Sequence, residues 1–164
     1  MTNLENLLRP NEIKGIEQMS FGQQKLNKLS KDSNLLKLFM KLEFNGYHVS
    51  NIVIGANWED KLDWISENYE ETLKPMGFDG YHVSSIIMGA GWKDKLDWIS
   101  ENYQTILEPM GFNQPKVAGI MKGKGWQDKV EWIISNFNNK NYTTGEIRDI
   151  MQKKNWRNIL HYNH

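Results

Sequence analysis

The fold is decided by FNGYHVSNIVIGANWEDKLDWISENYEETLKPMG (residues 44–77) and FDGYHVSSIIMGAGWKDKLDWISENYQTILEPMG (residues 78–111). Both stretches have 34 residues, and they are identical at 24 positions. A third copy opens at Phe112, and a partial fourth copy opens at Tyr142. Repetition with a period of about 20–50 residues is the signature of an array of stacked structural units. Repeat positions 1–34 are counted here from the aromatic residue that opens each copy.

Each copy predicts a helix followed by a short loop. Position 2 holds residue types that cap helix N-termini, namely Asn45, Asp79, Asn113 and Thr143. Apolar side chains follow at positions 6, 9 and 10, the spacing of one helix face. Positions 12–14 break this pattern. Position 14 is glycine or asparagine in all four copies, and these residues most readily take a positive φ.

A second helix is predicted to begin at the tryptophan of position 15. Its apolar stripe in the first full copy consists of Trp58, Leu62, Ile65, Tyr69 and Leu73. The helix is predicted to end at the Pro-Met-Gly sequences of residues 75–77 and 109–111, with glycine as the C-terminal cap. No stretch shows a convincing two-residue alternation, so the sequence predicts an all-α protein.

A single hairpin cannot bury its own stripe, so stacking of neighbouring hairpins into one short solenoid domain is expected. Five units make up the predicted array: a degenerate capping repeat at 1–43, repeats at 44–77 and 78–111, a shortened repeat at 112–141, and a partial repeat with a tail at 142–164. The capping repeat fits the same frame when Ile13 and Ile16 stand at positions 6 and 9. Leu26 and Leu29 then stand at positions 19 and 22.

All seven tryptophans recur at two repeat positions. Position 15 holds Trp58, Trp92, Trp126 and Trp156, and position 21 holds Trp64, Trp98 and Trp132. Position 15 lies on the apolar stripe, which predicts a core side chain. Position 21 lies off the stripe, which leaves two interpretations open: a core residue or a residue that lines a binding groove.

No feature of the sequence indicates catalysis, and the protein is expected not to be an enzyme. The absence of cysteine excludes disulfides, cysteine-based metal sites and cysteine nucleophiles. The pairs Asp60/Asp63 and Asp94/Asp97, with Lys61 and Lys95 between them, are interpreted as solvated helix charges. His48 and His82 share position 5 and are interpreted as surface residues copied by duplication. His161 and His164 could ligate a metal only with further ligands, so neither a metal nor a cofactor is expected.

The formal net charge is zero, yet the charges are unevenly distributed. Residues 1–43 carry +2, residues 44–77 carry −4, residues 78–111 carry −3 and residues 112–164 carry +5. Lys122, Lys124, Lys153, Lys154 and Arg157 come from two consecutive loops and are expected on one edge of the array. An anionic partner should therefore meet the C-terminal third first.

Residues 44–160 resemble the TAL-effector repeat. They share its 34-residue length, with Val at position 6, Ile at 9, a glycine-bearing loop at 12–14, Leu at 19 and Gly at 34. The resemblance implies a right-handed superhelix of two-helix repeats that winds around DNA. Loop position 13 would face a base and positions 14–17 would approach phosphate. Carried over to this chain, the base-facing residues are Ala56, Ala90, Lys124 and Lys154, and the phosphate-side residues include Gly91 and Lys93.

Two hypotheses on function follow. The first is a non-catalytic, monomeric protein that binds nucleic acid, DNA rather than RNA, with weak sequence readout and with phosphate contacts from the basic loop residues. The second is a protein-interaction scaffold, such as a secreted effector, that uses an acidic concave surface and Trp64, Trp98 and Trp132. No signal peptide or membrane span is legible, which indicates a cytoplasmic or nucleoid-associated protein, or one exported into a host cell.

Overall fold

The computed structural model describes residues 4–139 and 142–162, and within those ranges it contains helices and turns but no β-strand. The prediction of an all-α protein is therefore confirmed. His164 lies outside the described residues, as does the side chain of His161. The chain divides into two compact units, Met1–Met88 and Gly89–His164. These are called the N-terminal unit and the C-terminal unit.

The N-terminal unit contains seven helices in its described residues. They are α1 (Leu4–Leu7), α2 (Pro10–Glu17), α3 (Gly22–Lys31), α4 (Ser33–Lys41), α5 (Gly46–Val53), α6 (Trp58–Asn68) and α7 (Gly80–Ile87). Paired helices α2 and α3, and α5 and α6, pack as hairpins. The first helices of successive copies also pack on one another, α2 on α5 and α5 on α7.

The C-terminal unit repeats this arrangement. Its helices are α8 (Trp92–Asn102), α9 (Gln114–Met121), α10 (Trp126–Asn136), α11 (Thr144–Met151) and α12 (Trp156–Tyr162), with a π-helix at Tyr103–Leu107 and a 3₁₀ turn at Phe137–Asn139. Helices α9 and α10 form one hairpin and α11 and α12 form another, and α9 packs on α11. In the copy at 44–77 and in each later copy, the second helix of the hairpin begins at the tryptophan of position 15.

Position 2 caps the first helix in three of the four copies. The side chains of Asn45, Asp79 and Thr143 accept hydrogen bonds from backbone N–H groups three residues later, whereas Asn113 makes no such bond. The degenerate copy shows the reciprocal half of the same arrangement, because the backbone N–H of Arg9 donates to Glu12 Oε2 at 2.7 Å. This shared geometry supports the placement of the degenerate copy on the repeat frame.

The interpretation of His48 and His82 as plain surface residues was wrong. Both imidazoles are partly buried at the start of their helices, and the backbone N–H of Asn45 and of Asp79 lies 3.3 Å from the Nδ1 atoms of His48 and His82 respectively. Burial lowers the pKa of each histidine, while the carboxylate of Asp79 opposes that shift. Position 5 thus completes the helix cap, as Glu146 does in the last copy.

The second helix ends earlier than the sequence predicts. Regular α-helix stops at Asn68 and Asn102, and wider turns rather than further helix lead to Pro75 and Pro109. In those turns the N–H of Lys74 donates to the carbonyl of Tyr69 at 3.0 Å, five residues back. The prediction for the terminal glycine holds, since Gly77 has φ 80°.

The degenerate copy ends in the same turn geometry, but it has no glycine at that point. The N–H of Phe44 donates to the carbonyl of Phe39, as Phe78 donates to Leu73, and Glu43 occupies the place of Gly77 with φ 60°. An L-residue with a side chain pays a steric cost in this conformation.

Glu43→Gly is therefore expected to raise the free energy of unfolding by about 0.5–1 kcal/mol, the steric relief exceeding the entropy cost of glycine. Urea denaturation of the full chain measures the change. Glu43→Ala is the matched control, because it removes the charge and keeps the steric cost. If both variants were equally stable, the left-handed backbone would not be the cause.

The side chains in the core are, with few exceptions, those that the repeat pattern predicts to be buried. The four tryptophans of position 15 are at most 9% exposed, which confirms them as core residues. Ile150, at position 9 of the partial copy, is half-buried rather than buried. The positive φ predicted for position 14 occurs at Asn57, Gly91 and Gly125 but not at Asn155, and the exposed Phe21 adopts it in the degenerate copy.

Candidate nucleic-acid interface

The loops that join the helices of each hairpin lie next to one another in the C-terminal unit. A side chain added at Gly89, in loop 89–91, would approach the backbone nitrogen of Gly123 to 3.9 Å. A side chain added at Gly91 would approach the Nε1 atom of Trp126 to 3.8 Å. Loop 122–125 in turn faces loop 152–155, since residues of both loops line one cleft.

That cleft has a volume of about 500 Å³ and is called the basic cleft. It is lined by Lys122, Gly123, Lys124, Gly125, Lys129, Met151, Gln152, Lys153, Lys154, Trp156 and Arg157. The five cationic residues that the sequence assigns to two consecutive loops are thus brought together, with Lys129 as a sixth. Met151 and Trp156 are buried and supply apolar surface.

Four of these cations are available to a ligand. Lys122, Lys124, Lys153 and Lys154 are exposed, and within residues 4–139 and 142–162 none of them forms an ion pair. Arg157 differs, because its guanidinium pairs with the carboxylate of Asp128 and lies 4.7 Å from the centre of the Trp156 ring. A phosphate group entering the basic cleft would therefore meet lysine ammonium groups first.

The remaining predicted contact residues are exposed but chemically uneven. Ala56 lies in loop 54–57 of the N-terminal unit, and Ala90 and Gly91 lie in loop 89–91 of the C-terminal unit. Their small side chains offer a base no hydrogen bond. Lys93 Nζ lies 2.6 Å from Asp97 Oδ2, and this partner raises the pKa of the lysine. The positive charge of Lys93 is thus already compensated within α8.

Lys61 and Lys95 are not solvated, although the aspartates on either side of them are predicted to be. Both occupy position 18, as do Lys25 and Lys129, and all four are at most 6% exposed. A usable signal was present, because position 18 follows the tryptophan of position 15 by three residues and shares its helix face. The ordinary solvation of lysine obscured that signal.

These buried lysines reach toward the end of the preceding helix in two copies. Lys61 Nζ donates to the carbonyl of Ile54 at 3.0 Å, and Lys129 Nζ donates to the carbonyl of Ile120 at 3.4 Å. A cation is favourable at a helix C-terminus, where carbonyl groups lack helical partners. Burial lowers the pKa of both lysines, and in Lys61 the nearby Lys25 adds to the shift.

The tryptophans of position 21 occupy different environments. Trp64 is 7% exposed and belongs to the core, whereas Trp98 and Trp132 are half-buried. Trp98 packs edge-on against Trp126 with ring centres 6.2 Å apart. Trp132 lines a second cleft of about 350 Å³ together with Asp128, Glu131 and Arg157. A partner could touch Trp132 without rearrangement of the core.

No protein-family model, curated protein or solved structure matches this chain. In the described ranges no three histidine or acidic side chains form a group that could hold a metal ion. No described helix is both long enough and apolar enough to cross a bilayer.

Proposed function

We propose that this chain is a non-catalytic TALE-like repeat protein that binds nucleic acid, and DNA in particular, through phosphate contacts. Its hairpins form a right-handed superhelical solenoid whose loop edge faces the ligand. The observation that carries the proposal is the basic cleft, where two consecutive loops present Lys122, Lys124, Lys153 and Lys154 together.

Phosphate rather than base recognition suits the chemistry of the loops. Ala56 and Ala90, at the position that faces a base in the TAL-effector repeat, carry no polar side-chain atom. Lys124 and Lys154 hold the same position in the later copies, and a lysine ammonium interacts well with any phosphate. Sequence readout should therefore be weak, and affinity should come from charge neutralisation.

The charge distribution favours a first contact in the C-terminal unit. Residues 112–164 carry a net charge of +5, whereas residues 44–77 carry −4. A polyanion is attracted by the first region and repelled by the second. We therefore expect binding to begin at the basic cleft, with little contribution from the loop that contains Ala56.

Amide chemical-shift mapping tests this location. A short DNA duplex is titrated into the uniformly ¹⁵N-labelled full chain at low salt. We expect the largest shifts at residues 122–125 and 152–157, and we expect added salt to reverse them, because screening weakens phosphate contacts. Shifts confined to other surfaces, or no shifts at all, would contradict the proposal.

The second candidate function, binding of a polypeptide, is favoured by the cleft beside Trp132. Asp128 and Glu131 line that cleft, so a partner with basic and apolar side chains would suit it. Titration of a lysine-rich peptide into the same labelled chain distinguishes the two. Protein interaction predicts shifts around Trp132 and Glu131 with the peptide and none at the basic cleft with DNA.

A further inference from the structure

The ammonium group of Lys95 is buried without a hydrogen-bond partner. Lys95 is 0% exposed, and its Nζ is the one buried side-chain nitrogen or oxygen in the described part of the chain that lacks a partner. Burying a charged group without compensation is costly, so such a group in a folded protein indicates a missing partner.

The equivalent lysines in the neighbouring copies do have partners. Lys61 and Lys129 donate to backbone carbonyls, and in both copies position 11 is extended, with ψ 134° at Ile54 and 127° at Lys122. In the copy that contains Lys95, position 11 stays helical, with ψ −21° at Met88. Loops 54–57 and 89–91 nevertheless share the sequence Gly-Ala at positions 12 and 13. The copy of Lys95 thus differs in backbone conformation and leaves its lysine without an acceptor.

Glycine at position 12 lies directly against this ammonium. A Cβ atom on Gly89 would stand 3.1 Å from Lys95 Nζ and 3.9 Å from the backbone nitrogen of Gly123. A distance of about 3 Å is that of an N–H···O hydrogen bond. Gly89 is half-exposed whereas Lys95 Nζ is closed to solvent, so an oxygen atom reaches the ammonium only if loop 89–91 shifts outward.

The surroundings of this point favour negative charge. Helix α8 begins at Trp92 directly after the loop and runs for 11 residues, so its N-terminus contributes a positive potential, which the carboxylate of Asp94 in its first turn partly offsets. Burial lowers the pKa of Lys95, and the positive charge of Lys129 adds to that shift. An anion at Gly89 would offset both effects and hold the ammonium in its charged form.

We propose that loop 89–91 and Lys95 form an oxyanion site that takes one phosphate-type group, with Lys95 Nζ as the principal donor. The group is either free phosphate or a phosphodiester of a bound polymer. The second source rests on the proposed function, whereas the first does not.

Titration of inorganic phosphate into the full chain tests the site. Chloride at matched ionic strength is the reference, and the readouts are the backbone amides of Gly89 and Gly91 and the side-chain resonance of Lys95. Phosphate, unlike chloride, is expected to shift all three and to raise the pKa of Lys95. Absence of a phosphate-specific shift at Gly89 and Lys95 would overturn the proposal.

Two variants remove the site in different ways. Lys95→Met deletes the donor and is expected to fold, since an apolar replacement of an unpartnered buried charge is tolerated. Gly89→Ala keeps the donor but fills the approach, and Gly89 lacks the positive φ that would exclude alanine. Each is expected to weaken phosphate binding about tenfold, the loss of one charge-assisted hydrogen bond. Lys61→Met is the matched control, because Lys61 already has an acceptor, and it should leave phosphate affinity unchanged.

A parallel titration with a short DNA duplex separates the two sources of phosphate. Phosphate binding lost in both variants, with no binding of DNA to the wild type, would uphold the oxyanion site and contradict the proposed function. DNA binding that is equal in the wild type, Lys95→Met and Gly89→Ala, with no phosphate-specific shift, would overturn the oxyanion site and leave the proposed function standing.

Discussion

Replacement of Lys124 and Lys154 together by alanine is expected to weaken the binding of duplex DNA about 100-fold near 50 mM salt. The two lysines come from consecutive loops, line the same cleft and form no ion pair within the described residues. Each phosphate contact that is lost retains about one counterion on the DNA, which corresponds to about tenfold in affinity at this salt concentration. Fluorescence anisotropy of a labelled duplex measures the change.

The matched control is the double variant Lys14→Ala and Lys37→Ala. These two lysines are exposed in the N-terminal unit, and their removal changes the net charge by the same amount. We expect the control to lose only a few-fold in affinity, through the weaker overall attraction between protein and DNA. An equal loss in both double variants would mean that net charge, rather than the basic cleft, governs binding.

Trp126→Ala is expected to lower the free energy of unfolding by about 3–5 kcal/mol. Trp126 is 6% exposed, opens helix α10 and packs edge-on against Trp98. Alanine would leave a large cavity at the point where loop 122–125 enters the helix, so the basic cleft should be lost together with the fold of its wall. Urea denaturation followed by circular dichroism measures the change.

Trp132→Ala is the control for that experiment, since it removes the same side chain from a half-buried position in the same helix. The apolar area removed from water there is smaller, and we expect a loss of about 1–2 kcal/mol. Comparable losses at the two positions would show that position 15 is not the main anchor of the hairpin.

Much of the fold could be predicted because the repeats report the same pattern several times. The caps at Asn45, Asp79 and Thr143, the core tryptophans of position 15 and the reversal at Gly77 all follow from local chemistry. The early end of the second helix could not be read in the same way. The stripe through Tyr69 and Leu73 continues with helical spacing, while the backbone between them widens into turns with bonds five residues back.

The exposed charges of the candidate site could be predicted from the sequence, but the buried lysines of position 18 could not. Lys122, Lys124, Lys153 and Lys154 are exposed loop residues, and sequence position alone places them near one another. The buried row at position 18 escaped prediction because lysine is normally solvated. Nor could the sequence distinguish loop 54–57 from loop 89–91, since the difference lies in backbone dihedral angles: ψ is 134° at Ile54 and −21° at Met88, and φ is positive at Gly55 but not at Gly89.

The salt dependence of DNA affinity, measured for the wild type and for the Lys124/Lys154 double variant, tests the central claim most directly. If the four free lysines of the basic cleft each neutralise one phosphate, log K falls against log salt with a slope of about −3.6, and the double variant is shallower by about 2. A slope near zero in the wild type, or the same slope in both proteins, would contradict a phosphate-binding cleft built by these two loops.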